Sequence, residues 1–83
     1  MNVNGHAAIV TGGASGMGAE TARALAAAGA KVTVMDVNED ALTEVANEIG
    51  GLAVQCDVTS ADSAEAAVAK AKSAHGAARV LVN

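Results

Sequence analysis

The sequence predicts an α/β protein built on a parallel sheet, and three observations across its 83 residues point there. Short apolar, β-branched runs alternate with stretches of helical periodicity in the order strand, helix, strand, helix, strand, helix, strand. A glycine cluster marks the first passage from strand to helix, and further glycines punctuate the later helix ends. Proline is absent, so no element is interrupted. Parallel neighbours need a long connection, which a helix supplies, and such crossovers are right-handed.

The first strand is expected over residues 6–11, HAAIVT, a continuous apolar run that fits a strand buried on both faces and ends in Gly12-Gly13. A helix over residues 16–29 follows, with Met17, Ala22, Leu25 and Ala26 read as its apolar side and Gly29 as its stop. Residues 31–36, KVTVMD, form the second strand. Asn38 then caps a helix in which Leu42, Val45, Ala46 and Ile49 recur at i, i+3, i+4 and i+7, with Glu39 and Asp40 in its first turn and Gly50-Gly51 at its end. A third strand is expected over residues 52–58. Thr59 or Ser60 opens a third helix that carries Ala64, Ala67, Val68 and Ala71 and stops near Gly76. Residues 79–83, RVLVN, read as a fourth strand.

Composition narrows the function classes. Hydrophobic residues make up 52% of the chain and charged residues 17%, which argues for a folded domain, yet there is no aromatic residue, so the core must be aliphatic and alanine-rich. Five basic against nine acidic side chains leave a net charge of -4. That balance disfavours a phosphate backbone or an anionic membrane, and no side chain is available to stack on a base. Nucleic acid and membrane are therefore not expected partners. Cys56 stands alone and is read as a buried core thiol. The opening Met1-Asn2-Val3-Asn4 has neither the basic region nor the apolar run of a signal peptide, so a cytoplasmic location is expected.

The turn Thr11-Gly12-Gly13-Ala14-Ser15-Gly16-Met17-Gly18 carries the most chemistry. Glycines at 12, 16 and 18 allow a tight turn, a close backbone approach to a ligand and close packing of the helix start on the strand. The helix N-terminus beyond them presents amide N–H groups and a partial positive charge, which suits a pyrophosphate. The alternative is a glycine-rich turn with no ligand. Asp36, at the end of the second strand, is placed to accept hydrogen bonds from the two hydroxyls of an adenosine ribose; the alternative is a solvated turn aspartate. The phosphate loop of kinases and GTPases needs Lys then Ser or Thr after its last glycine, whereas Ala19-Glu20 follow Gly18.

With Thr-Gly-x-x-x-Gly-x-Gly at residues 11–18, the acid at Asp36, Asp57-Val58 after the third strand and Leu-Val-Asn at residues 81–83, the chain resembles the short-chain dehydrogenase/reductase family along its whole length. The resemblance implies a doubly wound, Rossmann-type sheet with strand order 3-2-1-4 and NAD as cofactor at the carboxyl ends of strands 1 and 4. It implies that Gly12, Ser15, Gly16, Met17 and Gly18 line the pyrophosphate and ribose. Asp36 would hold the adenosine ribose, Asp57 and Val58 would contact adenine, and Asn83 would lie near the nicotinamide ribose. Asp57 has a plainer alternative as a turn residue that caps a helix. The resemblance further implies a small-molecule substrate, a homo-oligomer, and hydride transfer between nicotinamide and a secondary alcohol or ketone. The branch it looks most like includes 3-hydroxyacyl-CoA and hydroxysteroid dehydrogenases.

Members of that family use a Tyr-x-x-x-Lys pair with a Ser, all beyond the fourth strand, and this chain has no Tyr. No catalytic residue is therefore expected within it, and His6 and His75 are read as surface residues. The chain is expected to be the N-terminal, cofactor-binding part of a longer enzyme, inactive alone; a stand-alone NAD-binding module or redox sensor is the alternative. Methyltransferases that bind S-adenosylmethionine also place a glycine loop after the first strand, but with Gly-x-Gly-x-Gly spacing.

Overall fold

The structure, a computed structural model, describes residues 2–14, 16–57 and 59–82, so the expectations that fall on Ser15, Val58 and Asn83 lie outside the described residues. Seven elements follow one another: β1 (Ala7–Thr11), α1 (Gly16–Ala27), β2 (Lys31–Asp36), α2 (Glu39–Ile49), β3 (Leu52–Gln55), α3 (Ala61–His75) and β4 (Ala78–Val82). The strands form one parallel sheet in the order β3-β2-β1-β4. This is the expected doubly wound arrangement.

Strand alternation sorts the core into two layers. Val10, Val32 and Val34 face α1 and α2, where they meet Ala19, Ala22, Leu42, Val45 and Ala46. Ile9, Met35, Val54 and Cys56 face the opposite side, where Ala67 and Ala71 of α3 pack on them. Cys56 is buried, as the composition predicts. Burial of strands on both faces explains why β1 and β2 read as continuous apolar runs rather than alternating ones.

The caps of α2 and α3 are where the sequence puts them. Asn38 Oδ1 accepts the Ala41 amide at 3.1 Å, and Gly50 ends α2 in the left-handed region at φ 66°. Ser60, rather than Thr59, caps α3, its Oγ accepting from the Ser63 amide at 3.3 Å.

Four expectations need correction. The third strand stops at Gln55 instead of running to residue 58, because the Asp57 amide turns away from the sheet to donate to Ser63 Oγ at 3.0 Å. Met17 is 83% exposed and forms no part of the apolar side of α1. It lies five residues before Ala22, about 140° round the helix from the buried stripe. Val68 is likewise exposed, about 100° from Ala67 at the rim of α3. His75 is half-buried rather than a surface residue, and its buried Nε2 has no hydrogen-bond partner among the described residues.

β4 forms one margin of the sheet, with Arg79 and Leu81 exposed. No helix among the described residues is long and apolar enough to cross a membrane.

Candidate functional site

All four strands are parallel, so their carboxyl ends share one edge of the sheet, and the chain passes from β1 to α1 through the glycine loop at that edge. β2 and β4 flank β1, so the winding reverses beside the loop. In open α/β sheets such a reversal is the usual position of a ligand.

The glycines divide their labour. Gly12 and Gly16 have φ of 67° and 55°, and a Cβ at either would find nothing within 4 Å, so both leave open space on the side where a ligand would lie. Gly18 does the opposite: a Cβ there would run into the Gly12 carbonyl, with the carbonyl carbon at 2.8 Å and Gly13 Cα at 3.3 Å. Gly13 lies against Val34, where a Cβ would come within 2.8 Å of the valine Cβ. Gly13 and Gly18 thus pack the loop between sheet and helix, while Gly12 and Gly16 keep its outer surface bare. The start of α1 directly behind this surface supplies first-turn amides and the positive end of the helix dipole. An open glycine cradle on a helix N-terminus fits a pyrophosphate.

Asp36 closes one end of the cradle. Its Oδ2 accepts the amide of Ala14 in the loop at 3.1 Å, and its Oδ1 accepts the amides of Val37 at 2.7 Å and Asn38 at 3.4 Å. The sequence alone does not reveal the Ala14 contact, because a backbone amide leaves no residue signature. Exposed Val37 follows Asp36 and has its carbonyl held by Gln55 Nε2 at 3.1 Å, which adds an apolar surface beside the carboxylate. Thr11 Oγ1 donates to the Val82 carbonyl at 3.2 Å and ties the end of β1 to that of β4.

Asp57 stands beyond the end of β3 and is engaged in its own turn. Its Oδ1 accepts from the Thr59 hydroxyl at 2.6 Å and the Thr59 amide at 2.9 Å, and these two bonds hold its carboxyl below the usual carboxylate range. Asp36 and Asp57 thus give the strand-end edge two acids. No cation occurs among residues 12–18. A surface hollow of about 390 Å³ beside the loop is lined by Ala14, Arg23, Ala41, Glu44, Val45 and Glu48. Its one cation, Arg23, is engaged through Nε with both carboxylate oxygens of Glu48, at 3.1 and 3.0 Å. A larger groove of about 760 Å³ between β3 and α3 is remote from the glycine loop and gathers Glu39, Lys70 and Ser73 without any constellation suited to catalysis.

Among the described residues no group of His, Cys, Asp and Glu is placed to hold a metal ion.

Comparison with known proteins gives a consistent picture. A family model described as short chain dehydrogenase matches residues 6–83. The 7alpha-hydroxysteroid dehydrogenase of Escherichia coli strain K12 is 41% identical over 88 residues, which take in 100% of this chain and 34% of that protein. The 2,5-dichloro-2,5-cyclohexadiene-1,4-diol dehydrogenase of Sphingobium indicum is 44% identical over 84 residues, 95% of this chain and 34% of its own length. A crystal structure of hydroxysteroid dehydrogenase from Escherichia coli superposes with a TM-score of 0.95 at 39% identity, covering 99% of this chain and 36% of that one. The chain spans about a third of the length of the curated relatives it matches.

Proposed function

Because this chain belongs to the short chain dehydrogenase family, we propose that it is the cofactor-binding part of an NAD-dependent oxidoreductase acting on a secondary alcohol or its ketone. The observation that carries this reading is the open cradle of Gly12 and Gly16 at the N-terminus of α1, closed at one end by the Asp36 carboxylate. In that reading the loop amides and the first turn of α1 bind the pyrophosphate, and Gly12, Ser15, Gly16, Met17 and Gly18 are the residues assigned to line the pyrophosphate and ribose. Asp36 takes the adenosine ribose, Asp57 and Val58 the adenine, and Asn83 the nicotinamide ribose.

Bound NAD supplies the hydride acceptor. The residues of this chain supply position: Gly18 seats the helix start against the Gly12 backbone, Gly13 seats the loop against the Val34 side chain, and Thr11 joins β1 to β4 where the nicotinamide end would lie. No residue of this segment is assigned a proton-transfer role, and residues 1–83 are proposed as the N-terminal portion of a single Rossmann domain. The relatives' names, a hydroxysteroid dehydrogenase and a diol dehydrogenase, support a secondary alcohol as the substrate class, and a 3-hydroxyacyl-CoA is a further candidate of the same chemistry. A small-molecule substrate, a homo-oligomeric state and a cytoplasmic location belong to the same proposal and rest on family resemblance.

The test is to incubate the full-length protein with NAD and a panel of hydroxysteroids, cyclic diols and 3-hydroxyacyl thioesters and to follow NADH formation. Turnover with at least one class is expected. NAD binding with no turnover on any of them would favour a non-catalytic NAD-binding module.

A further inference from the structure

We propose that Asp36 is a positioning residue for the glycine loop as well as a ribose ligand, so that the adenosine and pyrophosphate ends of the site are coupled through one carboxylate. The inference rests on the cofactor reading above for its ligand, and on the loop geometry for its mechanism.

The loop has little else to hold its outer part. Gly12 and Gly16 are in the left-handed region with empty space where a side chain would be, so neither packs against anything on that side. Glycine at such positions also carries the largest conformational freedom to lose on ordering. Two consecutive amides restrain the span between them: Gly13 N donates to the Met35 carbonyl at 3.2 Å, and Ala14 N donates to Asp36 Oδ2 at 3.1 Å. The first is a main-chain bond, and substitution of Asp36 removes neither its donor nor its acceptor. The second is the one hydrogen bond to a side chain made by the described loop residues Gly12, Gly13, Ala14 and Gly16, and its acceptor is the residue assigned to the ribose.

The acceptor count makes the double role feasible. A carboxylate offers roughly four acceptor sites, and Asp36 uses three of them, on Ala14, Val37 and Asn38. The Asn38 contact is the longest, at 3.4 Å. A ribose diol can take the free site and displace Asn38 while the Ala14 bond stays in place. The phosphate-binding surface is then already ordered when the adenosine arrives. Removing the carboxylate should weaken phosphate binding even for a ligand with no ribose hydroxyl to offer.

Asp36→Asn and Asp36→Ala in the full-length protein separate this from charge and from ribose binding. Both variants lose the negative charge, but only Asn keeps an acceptor oxygen within reach of Ala14. Asp36→Ser, whose hydroxyl is too short to reach, serves as a second truncation. The probes are NAD and 2',3'-dideoxy-ADP, which keeps the diphosphate and lacks the diol. For the dideoxy probe the Asn variant should bind about three- to tenfold more tightly than the Ala or Ser variant, the range set by one neutral hydrogen bond. Hydrogen exchange at the Ala14 amide, measured without ligand, should be faster in the Ala and Ser variants and close to wild type in Asn. Equal affinities of Asn and truncated variants for the dideoxy probe, or Ala14 exchange unmoved by truncation, would overturn the proposal. The exchange measurement needs no cofactor, so it decides the loop role even if NAD fails to bind the wild-type protein, an outcome that would instead remove the functional reading.

Discussion

Replacing Asp36 with alanine should erase a preference for NAD over NADP. The 2'-phosphate of NADP would sit where the ribose 2'-hydroxyl meets the Asp36 carboxylate. At about 4 Å and an effective dielectric of about 20, two like unit charges repel by about 4 kcal/mol. Asp36 is only half-buried, and three amides already draw on its charge, so screening should bring the penalty to about 1 to 3 kcal/mol. Among the described residues no cation is paired with Asp36: residues 12–18 contain none, and Arg23 is engaged with Glu48. The wild-type protein should therefore bind NAD more tightly than NADP by roughly one to two orders of magnitude. In Asp36→Ala, NAD affinity should fall, and the two affinities should come within about threefold of each other once the repulsion is gone. Any loosening of the loop affects both cofactors alike and drops out of the ratio. Calorimetric titration of both cofactors into both proteins measures it. Equal affinities in the wild type, or a ratio unchanged by the substitution, would refute the electrostatic argument.

Three further outcomes are expected. Gly18→Ala should lower stability by about 1 to 3 kcal/mol in denaturant melts, because its methyl meets the Gly12 carbonyl, which is backbone and cannot swing aside. Asp57 is more acidic in the folded protein than in the unfolded chain, so its contribution to stability is present above about pH 4 and is lost as pH falls through the lowered value. Thermal melts across that window should show a shallower acid loss in Asp57→Asn than in wild type. Expressed alone, residues 1–83 should self-associate through the open edge of β4, where Leu81 is 63% exposed, and Leu81→Lys should raise the monomer fraction in sedimentation.

The elements that the sequence locates best are those closed by chemistry at both ends. α2 runs between the Asn38 cap and Gly50, each a residue with a conformational reason to be there, and its four apolar positions all turn inward to some degree. β2 ends at Asp36, the residue on which the cofactor reading turns. Where the sequence misleads, a side chain's hydrophobicity competes with a geometric fact it does not encode. Met17 looks like core, yet it falls on the wrong side of α1 because Gly18 must face the loop. β3 looks longer than it is because Cys56 is buried like a strand residue while the next amide is captured by a serine of α3. His75 reads as surface, but the helix ends with its ring partly covered. Within the site, the glycine spacing and Asp36 are legible. The bond from Ala14 to Asp36 is not, since it depends on how the loop folds back over β2.

If the loop from Gly12 to Gly18 holds the cofactor's pyrophosphate, NAD titration of wild type beside Gly16→Val will separate the two proteins. Gly16 has φ 55° and open space in front of it, so valine there would both strain the backbone and project a branched side chain into the space assigned to the ligand. Circular dichroism establishes that the variant is folded before titration. The account predicts that wild-type full-length protein binds NAD and that folded Gly16→Val binds it at least about tenfold more weakly. A folded Gly16→Val protein with unchanged NAD affinity would mean that the glycines only shape a turn and that the cofactor, if bound, lies elsewhere.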